Sequence, residues 1–202
     1  MKSLSISDSN QLLAAIGMRI GDWNQVAPID RTQADLVHRT SFTAPRESSE
    51  LFCLAFHAAG WLPSGRWKLL QIDNSNYFNV VDRSLLSQLL FGTQWRCNLN
   101  APECSSFLFE YADRADANQK SDLLISHLIY SLLLVEGHAY LVSAASKYQE
   151  LLAIQDGAVH FSSLQTDVSG AAAALARFKE NPSNYPRWVA DAMAQDQDRP
   201  VM

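Results

Sequence analysis

Three strand-like segments follow one another in the last third of the chain and restrict the fold more than any other feature. They read "HAYLVSA", "YQELLAIQ" and "AVHFSSL", and Asp156-Gly157 separates the second from the third. Glycine tolerates the positive φ that a type I′ hairpin turn needs, so this dipeptide is a strong hairpin signal. We therefore expect a three-strand antiparallel meander, which argues against a purely parallel α/β sheet.

Helical patterns lie before the meander. The first, "SDSNQLLAAIGMRIGDW", has Ser7 or Asp8 as a candidate cap and runs towards Gly21. A second, "RESSELFCLAFHAAGW", has Ser48 or Ser49 as a candidate cap and Gly60 as a candidate stop. A long apolar helix is predicted from about Asn118 to Glu136, with Gly137 closing it.

Other strands are predicted between these helices. One begins near Leu36 and ends before Pro45, and "SFLFEYA" is another. "RWKLLQID" alternates, which places Trp67, Leu69 and Gln71 on one face. The other face then carries Lys68, Leu70 and Ile72.

Taken together, the elements predict an α+β fold. We expect a mixed or mainly antiparallel sheet with packed helices, and a C-terminal meander followed by further helices. The 202 residues fit a single domain, with residues 195–202 as a disordered tail.

Composition limits the classes of function. Hydrophobic residues make up 48% and charged residues 18%, which is typical of a globular chain. The formal net charge is −5, whereas a general nucleic-acid binder carries a basic surface, so we expect no nucleic-acid partner. The most apolar run, Leu123 to Val135, is too short to span a bilayer. With no apolar leader and an odd number of cysteines, we expect a cytoplasmic protein with reduced thiols and no membrane partner.

Cys53 and His57 are the first candidates for chemistry. They lie four residues apart in a predicted helix and therefore share a face. A catalytic thiolate needs an electropositive, partly open site, but the neighbouring residues are almost all apolar. We therefore expect a core cysteine beside a hydrogen-bonded histidine. His127 lies in the long apolar helix three residues before Tyr130, and we expect it to be buried and structural.

Metal and phosphate sites have weaker signatures. Cys97 and Cys104 are too far apart for the tight pairs of structural zinc sites, and the five histidines are scattered. No glycine-rich phosphate loop and no nucleophile-elbow motif is present in the sequence. We expect no metal, no cofactor and no enzymatic activity. His160 alternates with Val159 and Phe161 and should stand on the open face of the meander with other polar groups.

Acidic and aromatic side chains near loops and strand ends form the predicted partner-binding set, with the tyrosines as anchors. They are Tyr77, Asp82, Glu110, Asp113, Asp116 and Tyr148.

The chain is small and acidic and lacks a catalytic motif. In these features and in two segments, "WKLLQIDNSN…LLSQLLFG" and "AYLVSA…YQELLAIQDGAVHFSS", it resembles the immunity proteins of bacterial toxin–immunity systems. The resemblance implies a cytosolic protein that binds a toxin domain stoichiometrically and occludes its active site, without a cofactor. An acidic face would then steer a basic toxin and speed association.

Two alternatives stay open at this point. One is a small enzyme or ligand-binding domain around Cys53, His57, His127 and His138. The other is a regulator or scaffold with a non-toxin protein partner. A spare strand edge would also allow a homodimer.

Overall fold

The described residues of the computed structural model form a seven-stranded antiparallel sheet with helices packed on it. The structure describes residues 2–21, 25–30, 36, 38–63, 65–73, 105–111, 115–134, 136–146, 149–164, 168, 169 and 175, with backbone alone at 3, 105 and 115–120. Within these residues the strands are β1 (Lys2–Leu4), β2 (Met18–Ile20), β3 (Val26–Pro28), β4 (His38–Thr43), β5 (Trp67–Asp73), β6 (Ser105–Glu110), β7 (His138–Ser143), β8 (Leu151–Gln155) and β9 (Ala158–Ser163). The helices are α1 (Ile6–Ala14), α2 (Ser48–Trp61) and α3 (Ala115–Leu134).

The strand order in the large sheet is β1-β6-β5-β7-β8-β9-β4, and every neighbouring pair is antiparallel. The predicted α+β class with an antiparallel sheet is therefore confirmed, as is the meander of β7, β8 and β9. Asp156 and Gly157 have φ values of 51° and 69°, which is the backbone of a type I′ turn. Apart from Ser169 and Leu175, the helices predicted after the meander lie outside the described residues.

Both faces of the sheet are covered. α2 and α3 pack on one face, where Leu70, Leu141 and Phe161 belong to the larger apolar cluster. α1 and the β2–β3 hairpin pack on the other, where Leu69 and Tyr140 belong to a second cluster. The two faces of β5 alternate as the sequence predicts, and the central strands are buried on both sides, since six of the seven β5 residues are buried.

The first helix is shorter than predicted. Ser5 caps it, because its hydroxyl accepts the N–H of Asp8, so the prediction of Ser7 or Asp8 as the cap was wrong. Gly17 then takes a φ of +73°, and the chain turns into β2 instead of continuing the helix. α3 also ends differently: Glu136, and not Gly137, takes the left-handed conformation, and the N–H of Gly137 donates to the carbonyl of Leu132 at 2.7 Å.

Replacing Gly60 or Gly65 with alanine is expected to change the free energy of unfolding in opposite directions. Gly60 is exposed inside α2, and a Cβ there meets no atom within 4 Å. Gly60→Ala should raise the free energy of unfolding by up to about 1 kcal/mol, because alanine is the better helix former. A Cβ on Gly65 would lie 2.7 Å from the backbone nitrogen of Ala145, so Gly65→Ala should lower it by about 1–3 kcal/mol.

Urea unfolding of both variants beside the parent chain measures this difference. Equal effects of the two substitutions would show that the packing around Gly65 yields easily, contrary to the prediction.

Candidate functional site

Several exposed apolar side chains lie on the outer face of α2 and α3. Among the described residues, the large hydrophobic side chains that are exposed number four, and three of them lie on these helices: Phe56 (49%), Leu123 (43%) and Leu134 (50%). Scattered exposed hydrophobics are ordinary, whereas a contiguous group marks an interaction surface. The arrangement of the two helices decides which case applies here.

Aromatic contacts show that the group is contiguous. The Phe52 ring lies 5.1 Å from the His127 ring and 5.9 Å from the Tyr130 ring, centroid to centroid, so these residues bridge the two helices. At the other end of α2, the carbonyl of Ala59 and the carboxylate of Asp122 bind the same lysine, which shows that the helices run antiparallel.

Helical spacing extends this contact in both directions. Phe56 follows Phe52 by four residues and Leu123 precedes His127 by four, so the two lie on the same side of the bridge. Leu134 follows Tyr130 by four and continues the line at the other end. We name this surface the aromatic stripe; it consists of Phe52, Phe56, Leu123, His127, Tyr130 and Leu134.

Two histidines are more exposed than the sequence suggests. His127 is exposed, so the expectation that it is buried was wrong, and His57, which was expected to be hydrogen-bonded beside a core cysteine, is exposed as well. Each lies in an apolar run, but α2 and α3 cover the sheet from outside and leave one side of each helix exposed. Cys53 is partly buried and packs against the larger apolar cluster, as a core cysteine does.

The alternative site around Cys53, His57, His127 and His138 is not assembled. His138 is on β7 next to Ala139, which packs under the helices, so alternation turns the His138 side chain to the opposite face of the sheet. There its ring nitrogen lies 3.5 Å from the Asp156 carboxylate. The other three lie on the helix layer.

Of the predicted partner-binding residues, the structure describes two. Glu110 is exposed at the end of β6 and pairs with Lys2 at 2.7 Å. Asp116 lies in the first turns of α3, where the backbone alone is described. Tyr77, Asp82, Asp113 and Tyr148 lie outside the described residues, so the set as a whole stays a prediction.

A buried ionic cluster joins the end of α2 to α3 and β5. The Lys68 ammonium is fully buried and donates to Asp122 and to the carbonyl of Ala59, both at 2.9 Å. The Tyr111 hydroxyl donates to the same carboxylate oxygen at 2.5 Å. Burial, and then the hydrogen bond to Asp122, raises the pKa of Tyr111 well above its usual range, so the hydroxyl stays a donor. The cluster is satisfied internally and holds the two helices to the sheet.

Metal ligands are not grouped in the described ranges: no set of three or more His, Cys, Asp or Glu residues there is placed to hold an ion. Cys97 and Cys104 fall outside those ranges. The described helices include none that is long and apolar enough to cross a membrane.

Comparisons with protein-family models, with curated proteins and with solved structures found no match to this chain.

Proposed function

We propose that this chain is a non-enzymatic protein-binding domain that docks its partner on the aromatic stripe and acts by occluding the partner's surface. The observation that carries the proposal is the contiguous exposed apolar face on α2 and α3, where Phe56, Leu123 and Leu134 are all more than two-fifths exposed. The fully buried core of a protein interface is more apolar than the rest of the surface and is enriched in aromatic side chains.

Charge indicates the chemistry of the partner. The sequence of α2 and α3 contains two further carboxylates, Glu50 and Asp116, besides Asp122, whose charge is paired with Lys68, and it contains a single amine, Lys120. The whole chain has a formal net charge of −5. A partner that carries apolar side chains surrounded by lysine and arginine would therefore meet a complementary potential, which speeds encounter and disfavours acidic competitors.

A basic toxin domain fits this description. In the narrower form of the proposal, the chain is an immunity protein that neutralises a cognate bacterial toxin by stoichiometric binding in the cytoplasm. The resemblance of the strand segment after Trp67 and of the meander supports this form, together with the acidic charge. A regulator or scaffold with another basic protein partner is the broader form.

The test begins with capture of the tagged chain from its native cells, identification of the bound protein by mass spectrometry, and reconstitution from purified components. We expect a complex of fixed stoichiometry by gel filtration, and loss of the partner's activity on mixing. A partner with a toxic domain supports the narrower form, and a basic partner without one supports the broader form.

The position of the interface is tested by the double variant Phe56→Asp/Leu123→Asp. It places charge in the middle of the stripe and should weaken affinity about a hundredfold, as removal of central anchors does. The matched control is Ile29→Asp, because Ile29 is an exposed hydrophobic (41%) that lies beyond β3, away from the stripe. Isothermal titration with the reconstituted partner measures both. Equal affinities in the double variant and the parent chain would place the interface elsewhere.

A further inference from the structure

The outer side of α3 carries four residues of the aromatic stripe at the spacing of a helix-packing seam. Leu123, His127, Tyr130 and Leu134 follow one another at intervals of four, three and four residues. Side chains that repeat at this average interval line one side of a helix and pack against a neighbouring helix. At the rise of an α-helix the seam is about 16 Å long, so it offers contact to about three turns of a partner helix.

The inner side of α3 is already packed on the sheet. Four of its residues are fully buried in the larger apolar cluster: Ile125, Leu128, Ile129 and Leu132. A helix that covers a core from outside usually carries charged and polar residues on its opposite side. The sequence of residues 123–134 contains no charged residue, and the hydroxyls of Ser126 and Ser131 donate to carbonyls of the same helix. The outer side of α3 therefore has the composition of a second packing surface.

α2 has the same composition where it lies beside this seam. Residues 51–60 include no Asp, Glu, Lys or Arg. Phe52 and Phe56 lie one helical turn apart, and the Phe52 ring contacts the rings of His127 and Tyr130 across the helix pair. Depletion of charge together with aromatic side chains is typical of the core of a protein interface. The two helices therefore present one continuous uncharged surface.

Charged side chains lie at one end of this surface. Because α2 and α3 are antiparallel, the beginning of α2 and the end of α3 lie at the same end of the pair. Glu47 and Glu50 are exposed there. Arg46 and Glu136 are exposed at the same end and carry opposite charges, so they do not change the balance among the described residues. The stripe thus has an uncharged middle and an acidic end.

We infer that the partner segment that occupies the stripe is an amphipathic α-helix, with lysine or arginine at the end that meets Glu47 and Glu50. The inference rests on the proposed function and names the structural class of the docking segment. A helix presents apolar residues at i, i+3, i+4 and i+7, which matches the interval of the seam, whereas one face of a strand repeats every second residue. The basic end complements the acidic end of the stripe.

Two synthetic peptides of identical composition test the helical form. In the first, leucines stand at helical spacing among lysines; in the second, the same residues are reordered so that leucine and lysine alternate as on a strand. Isothermal titration of the full chain and the NMR methyl signals of Leu123 and Leu134 measure binding. We expect saturable shifts at both leucines with the first peptide, and affinity about tenfold weaker for the second. Equal affinities, or no saturable shift at either leucine, would overturn the inference.

Two charge reversals test the acidic end. Glu50→Lys places an amine beside the stripe and should slow association of the first peptide, because charges at the rim of an interface act mainly on the association rate. The matched control is Asp30→Lys, since Asp30 is exposed just after β3, on the hairpin that packs on the other face of the sheet. Stopped-flow mixing at low salt measures both rates. Equal slowing in the two variants would assign the attraction to the whole acidic chain and overturn the basic end of the inferred helix.

The natural partner separates failure of this inference from failure of the proposed function. Hydrogen exchange of the reconstituted complex identifies the partner segment that becomes protected, and a basic amphipathic helix supports the inference. If Phe56→Asp/Leu123→Asp weakens binding but the protected segment is a strand or a loop, the inference falls and the proposed function stands. Unchanged binding in that variant removes both. A dimer of the chain alone that Leu134→Asp disrupts would make a second copy the occupant and would also overturn the inference.

Discussion

Replacing Asp122 with alanine is expected to lower the free energy of unfolding by about 3–5 kcal/mol, because it leaves a buried ammonium without its carboxylate. Lys68 Nζ is fully buried, and Asp122 is its ionic partner at 2.9 Å. The same substitution removes the acceptor of the Tyr111 hydroxyl. Since the Asp122 side chain is 29% exposed, water reaches the site partly and the loss should lie near the lower end of that range.

The matched variant is Lys68→Met, which removes the charge and keeps much of the buried chain length. It should cost about 1–2 kcal/mol, because it deletes hydrogen bonds but leaves no unpaired buried charge. Asp122 then keeps the Tyr111 hydroxyl and its access to water. Urea unfolding with unchanged m-values measures both variants, and circular dichroism establishes that each is folded.

The relative size of the two losses in stability shows whether the contribution of the cluster is electrostatic. A larger loss in Asp122→Ala than in Lys68→Met supports an electrostatic origin, and the double variant should then be more stable than Asp122→Ala alone. A loss in Lys68→Met as large as that in Asp122→Ala would contradict this account and assign the energy to the Lys68–Asp122 hydrogen bond that both substitutions remove.

Local patterns in the sequence predict much of the sheet. Alternation along β5 gives the two faces of Trp67–Asp73, since side chains on a strand point alternately to opposite sides. The Asp156-Gly157 dipeptide gives the hairpin between β8 and β9 because few residues tolerate two successive positive φ values. The prediction that His160 points away from Val159 and Phe161 and stands with polar groups follows from the same alternation, and its contacts with Ser41 and Gln155 agree with it.

The sequence does not reveal which residues that are far apart along the chain come into contact. Ser41 and His160 are 119 residues apart, and their contact depends on the register between β4 and β9. Lys68 and Asp122 are 54 residues apart, and alternation places Lys68 on the apolar helix-facing side of β5 without naming its partner.

The aromatic stripe illustrates the same limit. Its members on α2, Phe52 and Phe56, are as apolar as the core residues of that helix, so composition cannot tell the outer side of α2 from the inner one. The spacing of His127 and Tyr130 does show that they share a face of α3, but the direction of that face depends on how the helix lies on the sheet. The short strands β1, β2 and β3 were missed because each has only three residues.

Phe161→Ala is expected to lower the free energy of unfolding by about 3–5 kcal/mol, since it removes a buried ring and leaves a cavity. Phe161 is fully buried on β9 and packs edge-to-face with two other rings. Its centroid lies 5.7 Å from that of Phe42 on β4 and 4.6 Å from that of Trp61 at the end of α2. The ring therefore joins the edge strand, its neighbour and the helix layer, and its loss affects three elements.

Two comparisons make this prediction specific. Phe161→Leu should cost about half as much, because it retains most of the buried apolar volume and loses the aromatic contacts. Phe56→Ala removes the same type of side chain from a position that is 49% exposed, and should cost about 1 kcal/mol or less. Urea unfolding ranks the three variants, and near-ultraviolet circular dichroism follows the asymmetry around Trp61.

If Phe161→Ala costs no more than Phe56→Ala, the junction of β4, β9 and α2 is loosely packed, contrary to the structure. If the predicted order holds while partner binding is lost in the Phe56→Asp/Leu123→Asp variant alone, stability and recognition reside on opposite sides of the same helix. The inner side of α2 then fixes the helix to the sheet through Trp61 and Phe161, and the outer side is available to a partner because it contributes little to folding.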